Sequence, residues 1–397
     1  MHFLVGWDDP AQTDLISSFL NLDGTSASIF QSSDEFSAAA RRQRYDAVLL
    51  SLDFPSSECS FGLFQMLREC QSDVPVVGVW RAGEIGHLAR FVAHGLHSHL
   101  QRDEQGEFVL LLTTMLEAAV ASARARRAEL VAEKLREEVE SVRQLQEAII
   151  PHELPRVTGY GMAARYEPSQ IRVLGDRPVV MAGGDYYNAF RLSDRNLALI
   201  LGDAAGHGVR ACMSIMCMHT LITMICDQRY PSSAEFVTEV NHRLANNSIV
   251  SGEQGGFITL LFAYLNAAEH RLQWTSAGHP VPLLHRLDTN EVTPIGSSDT
   301  TGLALAIVGE WEYELSELSL PPRSRLLLYS DGLEEAYGVE DGRHLPFGFD
   351  GIRSTLQACR NRTLDETLDA LFTDSNAITR GEGRIDDTTV MLVERLE

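Results

Sequence analysis

Four aspartates stand at the ends of apolar runs. Asp185 follows Gly183-Gly184, and Asp203 follows Gly202 after the run Leu197 to Leu201. Asp331 closes Leu326-Leu327-Leu328-Tyr329-Ser330 and precedes Gly332, while Asp386 and Asp387 precede Val390 to Val393. Any one strand-end Asp-Gly pair is a turn. Four such acids, with Gly183, Gly184, Gly202, Gly206 and Gly208 among them, describe carboxylates gathered where backbone approaches a ligand closely. Carboxylates without a cysteine set favour a hard divalent cation, Mg²⁺ or Mn²⁺, over zinc. A hard cation held there would face a charged ligand at the strand ends.

Those acids need strands and helices to carry them. Leu197 to Leu201 reads as a buried strand, Phe257 to Leu265 with Arg271 to Thr275 as a hairpin, and Ser232 to Ala245 as an amphipathic helix. Ala211 to Cys226 is expected to be a helix buried on most sides, its methionines filling gaps in the core. Gly351 to Leu371 reads as one closing helix, and Asn246 to Gly256 as a polar loop that either flanks a substrate groove or is inert. By pattern alone, residues 151–397 form an α+β unit.

Ahead of it, residues 1–112 alternate short strands with helical stretches: Phe3 to Gly6, Ser26 to Phe30, Ala47 to Leu50, Val76 to Val79 and Ser98 to Leu100. This spacing predicts an α/β, flavodoxin-like, doubly wound parallel sheet, with any site at the carboxyl ends of the strands. Residues 113–150 are rich in Ala, Glu, Arg and Leu and lack proline, which predicts a long helix ended by Pro151 and Pro155. Ala128, Leu135, Val142 and Ile149 recur every seven residues, with Val131, Glu138 and Leu145 three further on. That a/d pattern favours a parallel coiled-coil homodimer, although Glu138 at a d position weakens it; the other reading lays the helix on its own C-terminal unit.

At 397 residues the chain holds more than one domain, and its 44% apolar and 22% charged content is that of a globular protein. A net charge of −22 opposes nucleic-acid binding. Six cysteines without CxxC spacing and a start that is no signal peptide predict a cytoplasmic protein. Ala211 to Cys226 is too short and too polar to span a membrane. His94, His97 and His99 are read as solvated, since no acid or cysteine joins them locally.

The segments GGDYYNAF, LILGDAAGHG, TSAGHP, LLLYSDGLEEA and IDDTTVMLV, in this order, resemble the SpoIIE/RsbU-type bacterial branch of the metal-dependent serine/threonine protein phosphatases, the PPM or protein phosphatase 2C-like family. The resemblance runs from about Pro151 to the end. It implies a four-layer α-β-β-α sandwich binding two Mn²⁺ or Mg²⁺ ions, with Asp185, Asp203 and the Ala204 carbonyl as ligands, Asp331 and Asp386 on the second metal, and Asp387 as a spectator. Gly206 and His207 are candidates for a substrate contact, a proton carrier or a structural role. The family has a second acid where this chain has Asn188, a position read as outside the metal shell.

The N-terminal layout resembles a response-regulator receiver domain. Asp8 and Asp9 match its Mg²⁺-binding acid pair, but Ser51 falls where the phosphate-accepting aspartate belongs, with Asp53 two residues beyond. Trp80 replaces a small hydroxyl residue, and Arg102 replaces the lysine. Serine cannot form an acyl phosphate and arginine offers a different donor geometry, so the domain reads as a pseudo-receiver that binds a protein partner; a register slip making Asp53 the acceptor is the rival.

Together these readings predict Mn²⁺- or Mg²⁺-dependent hydrolysis of phosphoserine or phosphothreonine on a phosphoprotein, by resemblance an anti-sigma-factor antagonist, controlled through the pseudo-receiver and the helical linker. The competing expectation is a non-catalytic pseudophosphatase adaptor that holds a sigma factor or its regulator. The two differ in their metal ligands, and here all four aspartates are present.

Overall fold

The computed structural model describes the chain except residues 23, 104, 172–178, 181–182, 207, 227, 229, 252–255, 341–342, 381–383 and 397, and gives no side-chain description at 170–171, 179–180, 298, 339–340 and 343–344. It divides into two compact units, Met1–Leu135 and Arg136–Glu397.

The first unit alternates β1 (His2–Gly6), α1 (Pro10–Leu20), β2 (Ser26–Phe30), α2 (Ser33–Arg42), β3 (Ala47–Ser51), α3 (Ser60–Cys70), β4 (Val76–Arg81), α4 (Ile85–Ala93) and β5 (Ser98–Arg102) before the long α5 (Val109–Ile149). The five strands are parallel, in the order β2-β1-β3-β4-β5, which is a doubly wound arrangement. The three inner strands β1, β3 and β4 are buried on both faces and mostly apolar, whereas the edge strands β2 and β5 carry polar residues. Leu4, Val48, Leu50 and Val76 pack with Phe36, Phe64 and Phe91 of α2, α3 and α4. Phe3, Val5, Leu49 and Val77 pack with Ile16 and Leu20 of α1 and with Leu112, Leu116 and Val120 of α5.

Beyond its first turns α5 loses that cover, and Leu130, Val131 and Leu135 are exposed. The unit boundary falls inside this helix. Its last turns belong to the second unit, where Ile149 packs against the core under α6 (Val209–Ile225).

The second unit contains β6 (Tyr160–Glu167), β7 (Gln170–Ile171), β8 (Val179–Val180), β9 (Asp185–Arg191) and β10 (Asn196–Ala204), followed by α6, α7 (Ser233–Ala245) and α8 (Ser248–Ser251). After these come β11 (Ile258–Asn266), β12 (Arg271–Ala277), β13 (Leu283–Arg286), β14 (Glu291–Pro294), β15 (Ser316–Ser319), β16 (Ser324–Tyr329) and α9 (Asp331–Glu334). The chain closes with β17 (Tyr337–Glu340), β18 (Arg343–Pro346), α10 (Gly348–Ala358), α11 (Leu364–Ile378) and β19 (Thr388–Arg395).

Two antiparallel sheets result, β15-β12-β11-β10-β9 and β14-β13-β16-β19-β6. Leu199, Leu201, Leu261 and Trp274 of the first meet Leu326, Leu328, Met391 and Val393 of the second in the central core. Helices α6 and α7 cover the outer face of the first sheet through Ile215, Met218, Phe236 and Val240. Helices α10 and α11 cover the second through Ile352, Leu356, Leu368 and Leu371. The unit is therefore a four-layer α-β-β-α sandwich.

Two expectations need correction. Helix α6 is not buried on most sides: Met218 is fully buried, but Met213 and Met224 are exposed, the latter at 70%. Its apolar composition hid a helix with one face on the sheet and another uncovered. The segment expected as one closing helix is two, because Thr363 starts α11 with a capping box in which its side chain accepts from Glu366 N and Glu366 answers the Thr363 N–H. Histidines 94, 97 and 99 are exposed.

Candidate active site

Strands β9 and β10 pair so that Asp185 and Asp203 are register partners, with Ala204 N donating to the Gly184 carbonyl at 2.9 Å. In the other sheet, Ser330 N donates to Thr389 O, which brings the residue before Asp331 beside the start of β19 and hence beside Asp386 and Asp387. The sheets stack with these ends together. One oxygen of Asp185, Oδ2, accepts from the hydroxyls of Ser330 at 2.6 Å and Thr389 at 2.7 Å, both from the opposite sheet. Its other oxygen, Oδ1, and Oδ1 of Asp331 are buried with no hydrogen-bond partner.

Electrostatics mark the same place. Burial, the negative charge of Asp387 and that of Asp331 raise the Asp185 carboxyl well above its ordinary range, against the two hydroxyls that lower it. Asp203 is pushed up to about 10, first by burial and then by Asp185, Asp331, Asp386 and Asp387. Asp331 is pushed up to about 6 by burial, Asp386 and Glu335. Carboxylates this buried and this close do not ionise together without a cation among them.

The residues fit small oxygen-liganded cations. Among the described residues no group of three or more acidic, histidine or cysteine side chains is gathered closely enough to hold a metal ion by itself. Mg²⁺-type sites do not need one, since such ions keep several waters and take one or two carboxylates each. The unpartnered oxygens of Asp185 and Asp331 supply those carboxylates. The Ala204 and Gly206 carbonyls face Gly184 so closely that a side chain there would lie within 2.6 and 3.0 Å of them. Gly206 itself has φ +81, and His207 lies outside the described residues.

Four residues of the site were given no role by residue types and spacing. Asp387, read as a spectator, is buried and accepts from Ser169 N at 2.7 Å and Gly184 N at 2.5 Å, so it holds the turn that delivers Asp185. Its burial raises the carboxyl, and those two amides pull it back. Ser330 and Thr389 belong to the SDG and DDTT runs, and hydroxyls beside the acids were the available clue. Gln146, in the last turns of α5, is 1% exposed; its Oε1 accepts from Gly183 N at 2.7 Å and its Nε2 donates to the Asp185 carbonyl at 3.2 Å. A side chain at Gly183 would run into the Tyr166 hydroxyl and the Asp387 carboxylate. Asn188 sits on the other face of β9 from Asp185, donating to the Tyr186 hydroxyl, which bonds His219.

The receiver-like residues of the first unit also come together. Ser51 Oγ donates to Asp8 Oδ1 at 2.5 Å. The buried Arg102 guanidinium spans both Asp8 oxygens at 3.1 Å and Asp9 at 2.6 Å. Arg81, unremarked in the sequence, adds a bond to Asp8 at 2.7 Å and pairs with Asp53 at 3.4 Å. Burial would raise the Asp8 carboxyl, yet the Ser51 hydroxyl and Arg102 outweigh it and hold it below the usual carboxylate range. Two guanidinium groups thus sit against the Asp8-Asp9 acid pair.

The model of the family described as Stage II sporulation protein E (SpoIIE) matches residues 193–396, just over half of the sequence. The chain belongs to the SpoIIE family. It is 27% identical over 289 residues to Protein IcfG of Synechocystis sp., covering 65% of this chain and 41% of IcfG. It is 22% identical over 254 residues to phosphoserine phosphatase RsbU of Bacillus subtilis, covering 64% of this chain and 70% of RsbU. The chain thus spans less than half the length of IcfG. The SiaA-PP2C domain of Pseudomonas aeruginosa superposes with a TM-score of 0.54 at 19% identity, over 67% of this chain and 99% of that domain, and so shares the PP2C fold. The SpoIIE match includes Asp203, Asp331 and Asp386 and begins just after Asp185.

Proposed function

We propose that this SpoIIE-family chain is a Mn²⁺- or Mg²⁺-dependent phosphatase that hydrolyses phosphoserine or phosphothreonine on a protein regulator. The observation that carries the reading is the meeting of Asp185, Asp203, Asp331 and Asp386 at one end of two stacked sheets, with buried Asp185 and Asp331 oxygens left unpartnered. When bound, two such ions supply an activated water and neutralise the phosphoryl oxygens. The protein's part is positioning. Ser330 and Thr389 fix the Asp185 carboxylate, Asp387 and Gln146 fix the Gly183-Gly184 backbone ahead of it, and the strand register sets Asp203 opposite.

The substrate class follows the relatives: RsbU is a named phosphoserine phosphatase, and an anti-sigma-factor antagonist is the phosphoprotein proposed here. Regulation is assigned to the first unit and to α5. The self-neutralised Asp8, Asp9, Ser51, Asp53 and Arg102 cluster suits a partner-binding pseudo-receiver, and Gln146 gives the end of α5 a direct hold on the acidic site. Homodimerisation through the exposed apolar residues of α5 is part of the proposal, as is a cytoplasmic location. No described helix is long and apolar enough to cross a membrane.

The test is hydrolysis of p-nitrophenyl phosphate and of a phosphoserine protein with added Mn²⁺, by the full chain and by Asp203→Asn in parallel. Turnover abolished only in the variant supports the phosphatase. A folded, metal-bound chain with no turnover of either substrate favours the adaptor instead.

A further inference from the structure

The chain carries a net charge of −22, yet two short arginine runs stand out, Arg41-Arg42-Gln43-Arg44 and Arg124-Ala125-Arg126-Arg127. The first ends α2 and the second lies on α5, and the fold of the first unit brings them together at the amino-terminal edge of the parallel sheet. Two aspartates at strand entrances fix the meeting. Asp73, before β4, accepts from Arg44 at 3.3 Å and from Arg127 at 3.0 Å, and Asp46, before β3, accepts from Arg124 at 2.9 Å. These residues line a cavity of about 280 Å³ with Tyr45, Val74, Pro75 and Val120.

Three guanidinium groups share two carboxylates, so the cluster keeps positive charge. Each guanidinium carries five N–H donors and spends only one or two here, while its side chain remains 69 to 71% exposed. The carboxylates orient the arginines without using them up. Arg41, Arg42 and Arg126 are also exposed and add to the same runs. At the opposite, carboxyl-terminal edge of the sheet, Arg102 and the half-exposed Arg81 face three carboxylates, Asp8, Asp9 and Asp53, so that cluster keeps no excess of positive charge.

We infer that the arginine cluster at the amino-terminal edge of the first unit is a docking surface for an acidic, carboxylate-rich segment of a protein partner. The inference rests on the reading of this unit as a partner-binding pseudo-receiver and gives that partner its chemistry. An arginine fork matches a carboxylate bidentately. The restricted size of the patch suits a short acidic stretch, whereas the charge of the whole chain repels an extended polyanion such as nucleic acid. Encounter with an acidic segment is therefore steered to this edge and depends on ionic strength.

The test is fluorescence anisotropy of a fluorescein-labelled glutamate-rich peptide with the full chain. Binding is expected at low salt, weakened about tenfold or more in Arg124→Ala/Arg127→Ala. Arg243→Ala/Arg353→Ala, which removes the same charge from the second unit, is expected to bind like the unaltered chain. Equal affinity in all three proteins, or no binding at low salt, overturns the inference, and so does equal competition by a single-stranded oligonucleotide. Hydrolysis of p-nitrophenyl phosphate measured on the same samples separates the two proposals. Turnover without peptide binding defeats the docking surface alone, and peptide binding without turnover counts only against the phosphatase.

Discussion

Gln146 and Gly183 are joined by a 2.7 Å hydrogen bond in which the Gly183 amide donates to the buried glutamine side chain. The same side chain donates to the carbonyl of Asp185, so one residue of α5 holds both ends of the glycine turn that leads into β9. Because the turn is also held by Asp387, α5 and the start of β19 act on the same backbone.

Replacing Gln146 by alanine strands a buried amide, a loss of about 1 to 3 kcal/mol in the affected turn. The expected outcome for Gln146→Ala is a fall in turnover of about tenfold or more together with a higher Mn²⁺ requirement. Metal titration of activity checks it, and an unchanged titration curve and rate would show that the bond is structural only.

Asp203→Asn is expected to abolish turnover while raising the stability of the metal-free chain. The Asp203 carboxyl, pushed up to about 10 in the fold, is protonated there over a range in which the unfolded chain has lost the proton. Metal-free stability therefore declines as pH rises from about 4 through about 10, and a neutral asparagine removes that decline. Thermal unfolding in EDTA across pH is the measurement; parallel curves for both proteins would refute the burial and crowding assigned to this group. Mn²⁺ should raise the melting temperature of the unaltered chain and leave the variant nearly unmoved.

Ser330→Ala and Thr389→Val each remove one donor from Asp185 Oδ2. Each is expected to cost about 1 to 2 kcal/mol of stability and to lower kcat more than it raises KM, since the carboxylate loses its orientation and no substrate contact is removed. Denaturant melts and steady-state kinetics test this, and a pure KM effect would contradict it.

Arg102→Ala leaves Asp8 and Asp9 facing each other with only Arg81 nearby. The expected cost is about 3 kcal/mol, the usual size for breaking a buried pair. In an Asp203→Asn background, Mg²⁺ should recover part of that loss by taking the place of the guanidinium. Calorimetric melts with and without Mg²⁺ would show it, and no recovery at any Mg²⁺ concentration would mean that the acid pair has lost its cation geometry.

Much of this molecule was legible along the chain. The five strands of the first unit were placed by short apolar runs between helical stretches, and the four acids by their position at strand ends, because both are local patterns with a fixed period. Helix α6 misled for the same reason: composition reports how apolar a helix is, and only the surrounding sheet decides which face is covered. The split between α10 and α11 was written in Thr363 and Glu366, a local capping signal that the reading passed over.

The amino-acid sequence by itself determined the residue types, the strand-end spacing of the aspartates and the serine, Ser51, that ends the third strand. Tertiary structure alone decided what those residues do to one another. Asp387 meets Gly184 across 203 positions, Gln146 meets Gly183 across 37, and Arg44 joins Arg127 only through Asp73. Hydrogen bonds and charge coupling act over a few ångströms of space, and closing the chain is what converts distant positions into neighbours.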